Sequence, residues 1–199
     1  MNFKTVIQQL ETKPAYLSSH WSLPVEEARF LRLLATVGRF KSMLELGTSV
    51  GYSTLHLAQA AQENSLFYAN INPSCSMPHI TTIDASAERQ EQARQHVKTA
   101  QLQAWVTFIQ SDALKALEQL SDENRRFDFI FLDARKSEYE TYLEYSETLL
   151  NPSGLLLADN TYSHAKQVKG FIEKIQQRPH WHISHLPTPN GLFLAQKAP

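Results

Sequence analysis

Apolar positions along the 199-residue chain keep two alternating spacings. In Val25–Val37 the residues Phe30, Leu31, Leu34 and Val37 recur one helical turn apart behind Pro24, which predicts a helix. Residues 43–46 form a short, nearly continuous apolar run, as a strand buried on both faces should, and Gly47 breaks it. Beyond it Leu55, Leu57, Ala58 and Ala61 return to helical spacing, with Ser53 placed to cap the helix start. Residues 62–78 are polar and turn-rich, with Pro73 and Pro78, and predict a long surface loop. The alternation then resumes. Strands are predicted at 79–84, 105–112, 127–134 and 154–160, and helices at 85–100, 113–120, 138–150 and 165–177. The two runs 181–187 and 192–197, joined by a Pro-Thr-Pro-Asn-Gly turn, predict a hairpin.

Strands alternating with helices imply an α/β fold with a doubly wound parallel sheet, and the hairpin adds an antiparallel strand at its end. A hydrophobic content of 42% fits one domain over 1–199, with residues 1 to about 40 as a helical cap. Nineteen Lys and Arg against twenty Asp and Glu leave a net charge of −1, so no global field draws the chain to nucleic acid or an anionic membrane. Residues 1–13 lack a signal-peptide core and no apolar run reaches the length of a membrane span, which points to the cytoplasm. The single cysteine, Cys75, excludes an internal disulfide and a thiolate metal cluster, and no role is expected for it.

In an open α/β sheet, ligands sit beyond the carboxyl ends of the strands. Here those ends carry Glu45 and Gly47, Asp84, Ser111 and Asp112, Asp133, and Asp159 with Asn160. Each alone is an ordinary cap or turn residue, but together they place five acids and an amide on one edge. The glycine loop, free of Cβ atoms, lets backbone N–H groups and a helix start approach a ligand. Asp84 suits the ribose hydroxyls of a nucleoside cofactor. The loop reads Gly47-Thr48-Ser49-Val50-Gly51, without the G-x-G-x-x-G spacing of a dinucleotide site, and Glu45 before it disfavours a pyrophosphate. An acid there suits a cationic cofactor such as S-adenosylmethionine.

The stretches LELGTSVGYSTLHLA, TTIDAS, FIFLDARKSEY and GLLLADNTYSH, in that order, resemble the motifs of the cation-dependent, S-adenosylmethionine-dependent O-methyltransferases, the group that includes catechol and caffeoyl-CoA O-methyltransferases. The likeness runs from about Val25 onward and implies a Rossmann-like methyltransferase sheet. It implies that Glu45, Gly47, Gly51, Tyr52 and Ser53 line the methionine side of S-adenosylmethionine and that Asp84 holds the ribose. Ser111 and Asp112 then flank the adenine, and Asp133 serves both cofactor and metal. It further implies a divalent cation, Mg²⁺ or else Mn²⁺ or Ca²⁺, on Asp133, Asp159 and Asn160, an assignment their hard oxygen donors support independently. Lys136 matches the general base. The expected acceptor is a small hydroxylated molecule, catechol-like, and the expected assembly a homodimer. The chain departs from the pattern at Arg135, in the length of 62–78, and at Thr161-Tyr162-Ser163-His164, where plant members carry a tryptophan.

Three alternatives remain open at this point: methylation of a hydroxylated tRNA nucleoside, a nicotinamide-dependent oxidoreductase, and a cofactor-binding module without turnover. His180, His182 and His185 lie on an edge-region strand with no partner acid at matching spacing and read as non-ligands. Trp21 and His20 read as packing for the first helix in preference to a roof over the acceptor. Tyr139, Tyr142 and Tyr145 read as core and subunit contacts.

Overall fold

The computed structural model describes residues 1–71 and 76–199; Pro73 and Cys75 lie outside them. Three helices, α1 (Phe3–Glu11), α2 (Pro14–Ser19) and α3 (Val25–Val37), precede β1 (Ser42–Leu46). The chain continues through α4 (Tyr52–Ile71), β2 (His79–Asp84), α5 (Ala87–Thr99), β3 (Val106–Gln110), α6 (Ala113–Asp122) and β4 (Phe127–Leu132). It ends with α7 (Tyr139–Leu149), β5 (Leu150–Ala158), α8 (Ala165–Gln176), β6 (Trp181–Leu186) and β7 (Leu192–Lys197).

The strands form one sheet in the order β3-β2-β1-β4-β5-β7-β6. The first five are parallel, and β7 runs antiparallel to both β5 and β6. The sheet is therefore the doubly wound one with a C-terminal antiparallel hairpin, and β6 takes the edge. Strand pleat divides the core in two. Met43, Phe129 and Phe131 pack on one face among residues of α1 to α5, and Leu44, Ile130 and Leu132 pack on the other among residues of α6, α7 and α8. Among the described residues no helix is long and apolar enough to cross a membrane.

The expected loop over 62–78 is corrected: α4 runs on to Ile71. Tertiary contacts with α3 override the weak apolar pattern there. Thr36 and Arg32 bond Glu63, the Arg39 guanidinium lies 4.1 Å from the Phe67 ring centroid, and the Tyr68 hydroxyl donates to the Arg39 carbonyl. Asn64 is fully buried, and its amide donates to the carbonyls of Ala35 and Phe40 at 3.0 and 3.2 Å, satisfying acceptors that the end of α3 leaves open. On α3 itself the buried face is Glu27, Ala28, Leu31 and Ala35, and the expected stripe member Val37 is exposed. Small residues on that face let α3 and α4 approach closely. Ser53 is likewise not the cap of α4, which begins one residue earlier.

Replacing Asn64 with Ala should remove the amide donor of a buried and a partly buried carbonyl and lower stability by about 1–3 kcal/mol, read as a shift in the urea unfolding midpoint. An unchanged midpoint would show that α3 and α4 hold together without it.

Candidate active site

The carboxyl edge of the sheet is extended by one residue beyond β1, β3, β4 and β5. Ser111 donates its N–H to the Asp84 carbonyl, Gly47 to Ile83, Asp133 to Leu46 and Asp159 to Leu132, all between 2.8 and 3.1 Å. These bonds set Ser111, Asp84, Gly47, Asp133 and Asp159 in a row across the sheet. A cavity of about 290 Å³ opens above that row. Gly47, Tyr52, Ser53, Asp84, Ser111, Asp112, Asp133 and Lys136 line it. Glu45, Gly51, Asp159 and Asn160 do not reach its wall.

Each exception has a physical reason. Glu45 is fully buried beneath the glycine loop. One oxygen accepts from the hydroxyls of Thr54 and Thr82 at 2.5 and 2.6 Å, and Thr48 extends the chain to Thr82 at 2.6 Å. The other oxygen has no partner. Burial pushes this carboxyl up to about 7, the hydroxyls of Ser53, Thr54 and Thr82 pull it down, and the charge of Asp133 adds a smaller upward push. Glu45 thus sits behind the wall, bonded to the threonines and outside the cavity lining. The glycines serve the chain more than a ligand. A Cβ at Gly47, whose φ is +104°, would lie 2.2 Å from the Asp133 carbonyl oxygen, and one at Gly51 would lie 2.7 Å from the Ala93 Cβ. Gly47 admits the loop after β4, and Gly51 admits α5.

Asp84 is held by two backbone amides, Ser49 on one oxygen and Ser86 on the other, each at 2.8 Å. Each oxygen keeps a lone pair for a further donor. Asp112 caps α6 through the Leu114 N–H while its residue lines the cavity. Lys136 donates to Asp133 at 2.8 Å, with 15% and 10% of the two side chains exposed. Burial raises the Asp133 carboxyl, Lys136 pulls it back, and Glu27 pushes it up again. Asp159 is raised further, by burial first and by the charge of Asp133 next. One Asp159 oxygen is buried without a partner. Asn160 stands beside it at φ +62°, its amide on the Ser163 hydroxyl. Among the described residues, no group of three His, Cys, Asp or Glu side chains is arranged to hold a metal ion.

The chain is similar to known proteins over nearly all its length. The O-methyltransferase family pattern matches residues 4–198. The chain belongs to the O-methyltransferase family. A caffeoyl-CoA O-methyltransferase of Populus kitakamiensis is 32% identical over 86% of this chain and 68% of its own. A catechol O-methyltransferase of Niastella koreensis is 31% identical over 73% of this chain and 60% of its own. The crystal structure of an O-methyltransferase from Bacillus cereus in complex with SAH superposes with a TM-score of 0.80 at 26% identity, covering 98% of this chain and 90% of that one.

Several residues on or near the cavity wall of this O-methyltransferase escape the sequence reading. Trp21 does not pack in the core. It is 77% exposed at φ +50° on the cavity wall, with the Arg89 guanidinium 5.6 Å from its ring centroid. His20 lines the same wall, and its carbonyl accepts from the Ser49 hydroxyl. Glu27, buried on α3, gives one oxygen to the Asn190 N–H and leaves the other unpartnered. Its place four residues before Leu31 on a buried helical face was the available signal. His180 does have a partner acid, Glu147 of α7 at 2.9 Å, and His185 meets Thr161 at 2.7 Å, so the histidines serve separate contacts. Tyr139 and Tyr142 are core residues, and Tyr142 also reaches the cavity.

The Glu45 shift has a sign. Its carboxyl rises from 4.5 to about 7 on folding, so the folded chain holds the extra proton between those values. Stability contributed by that proton is full below the lower value and is lost as pH rises through the upper one. Between about pH 5 and pH 8 the wild type should lose about 2–3 kcal/mol more than Glu45→Gln, measured by urea unfolding of both proteins at both pH values. Equal losses would mean that Glu45 titrates as it does in water.

Proposed function

We propose that the protein transfers a methyl group from S-adenosylmethionine to a hydroxyl of a small, catechol-like acceptor with the assistance of a divalent cation. The observation that carries this reading is the placement of Lys136 and Asp133 on the same cavity wall as Asp84 and the loop from Gly47. The SAH complex of the Bacillus cereus relative and the catechol and caffeoyl-CoA names of the others support it.

The residues present suit the cofactor. Asp84, oriented by two amides, would accept the ribose hydroxyls. Ser111 and Asp112 flank the position for an adenine. The loop from Gly47 and the first turn of α4, whose leading N–H groups have no carbonyl partner in the helix, face the methionine end. Glu45 lies buried beneath it, and when ionised its charge favours a cationic donor over a pyrophosphate.

The residues also suit a hard cation. Asp159 has an unpartnered buried oxygen beside a second raised carboxyl, and these with Asn160 offer only oxygen donors. Asp133, Asp159 and Asn160 would hold it. When bound, the cofactor supplies an electrophilic methyl and the cation supplies positive charge beside the acceptor oxygen. Lys136 is the lysine of the cavity wall, and its Nζ, when neutral, would take the hydroxyl proton as that oxygen acquires the methyl. Trp21 and Tyr142 give the cavity flat apolar surface for an aromatic acceptor.

Titration calorimetry should show micromolar binding of S-adenosylhomocysteine and none of NAD, and Asp84→Ala should weaken the former by about 1.5–3 kcal/mol. Comparable NAD affinity would overturn the cofactor assignment. Methyl transfer to a panel of catechols, hydroxycinnamoyl thioesters and tRNA should favour the catechols and stop in EDTA. Lys136→Met should slow it by about 10²–10⁴-fold, with the deficit shrinking for more acidic acceptors that need no base. A deficit equal for every acceptor would make Lys136 a positioning residue, and preference for tRNA would replace the acceptor class.

A further inference from the structure

Two cationic side chains follow β4 in direct succession, and they turn to different partners. Lys136 bonds Asp133 at 2.8 Å. Arg135 instead reaches the segment after β3: its Nη1 lies 3.9 Å from a carboxylate oxygen of Asp112 and also donates to Glu138. Glu138 is itself fixed, since its other oxygen accepts from the Tyr142 hydroxyl of α7 at 2.6 Å. Asp112, Arg135, Glu138 and Tyr142 all line the cavity. A continuous chain of polar contacts therefore runs along one wall, from the start of α6 to α7.

The ion pair with Asp112 is exposed, with 63% of the Arg135 side chain and 47% of Asp112 open to solvent. Pairs of this kind add little to stability. What matters is the groups they leave over. Among the described residues Arg135 meets no acceptor besides these two carboxylates, and both are reached through Nη1. The N–H groups on Nη2 and Nε remain available, on a guanidinium that Glu138 holds in place. Asp112 gives one oxygen to the Leu114 N–H as the cap of α6 and keeps the other beside Arg135. The wall thus presents an acceptor next to a donor. Ile83, Ala85, Ala113 and Ala134 line the same cavity and give a flat ring small apolar surface.

Adenine carries the complementary edge. Its N6 amino group donates, and the ring nitrogens on either side of it, N7 and N1, accept. Hypoxanthine has a carbonyl in place of the amino group, which would set two acceptors against each other at Asp112.

We infer that Arg135 reads the base of the cofactor, donating to a ring nitrogen of adenine while Asp112 accepts from the neighbouring N6 amino group. This rests on the reading of Ser111 and Asp112 as the adenine end, and it gives a role to the residue at which the chain departs from the family motif. Glu138, anchored by Tyr142, is then the positioning residue for the guanidinium. Consecutive residues of one loop serve the two substrates, Arg135 the methyl donor and Lys136 the acceptor.

The test is titration calorimetry on the whole chain with S-adenosylhomocysteine and its 7-deaza and 1-deaza analogues, each of which has one ring nitrogen replaced by C–H. The proteins are wild type, Arg135→Ala and Arg135→Lys. Comparing ligands within each protein cancels any change of fold that affects all of them alike. Wild type should bind one of the two analogues about 3–10-fold more weakly than S-adenosylhomocysteine. Arg135→Ala should bind that analogue and S-adenosylhomocysteine equally, having lost the same factor on the natural ligand. Arg135→Lys, which keeps the charge without the planar fork, should recover part of the difference. The inosine analogue tests the partner: wild type should reject it, and Asp112→Asn, which retains a good helix cap and gains a donor for the carbonyl, should bind it more tightly than wild type does. A loss in Arg135→Ala that is equal for all three ligands, or no loss, would overturn the base contact and leave the cofactor reading standing. Failure of wild type to bind S-adenosylhomocysteine at all would overturn both.

Discussion

Everything at this site hangs on the backbone bonds that carry the sheet one residue past its strands. A strand end that stopped at its last paired residue would leave the next N–H to water and the next side chain free to wander. Here the amides of Ser111, Gly47, Asp133 and Asp159 are each tied to the neighbouring strand. Side chains at those positions inherit the precision of the sheet. The same constraint explains Gly47: the loop after β4 can reach its bond to Leu46 only because no Cβ occupies the space of the Asp133 carbonyl. Backbone pairing and the absence of one methyl group are two sides of one fit.

That fit forces acids together in a dry place. Glu45, Asp133, Asp159 and Glu27 come from β1, the loops after β4 and β5, and α3, and all but Asp133, which lines the cavity, are buried. Threonine hydroxyls partly compensate Glu45 and Lys136 partly compensates Asp133. Asp159 and Glu27 keep oxygens with nothing to accept from. A fold assembled for stability alone would have placed amides or apolar groups there. The unpartnered oxygens of Asp159 and Glu27 leave a desolvation cost that nothing within the described residues offsets.

The sheet was legible in the sequence because its strands are buried on both faces and read as apolar runs ended by polar residues. Asp84, Asp133 and Lys136 were legible for the same reason, since each stands just past such a run. What was not legible depends on contacts distant in sequence. The length of α4 past residue 62 is decided by carbonyls of α3 that Asn64 satisfies, and no local pattern reports them. Trp21 looked like core by composition, yet its left-handed backbone turns it onto the cavity. Glu27 was hidden by its charge, which reads as a solvated helix face until the position of its neighbours is known. The glycine loop was placed correctly but for a different reason, because its glycines make room for Asp133 and Ala93.

The strand order has a consequence for how the molecule is made. The edge position belongs to β6, while β7, later in the chain, fills the gap between β6 and β5. During synthesis β5 therefore emerges with an open hydrogen-bonding edge, and β6 follows with no neighbour to pair with, until β7 arrives and closes both at once. The turn that holds Glu27 is assembled in the same event. A nascent chain stalled before β7 would expose unpaired strand edges able to recruit other chains. Closure of the sheet edge and of the turn against Glu27 both wait for the last strand.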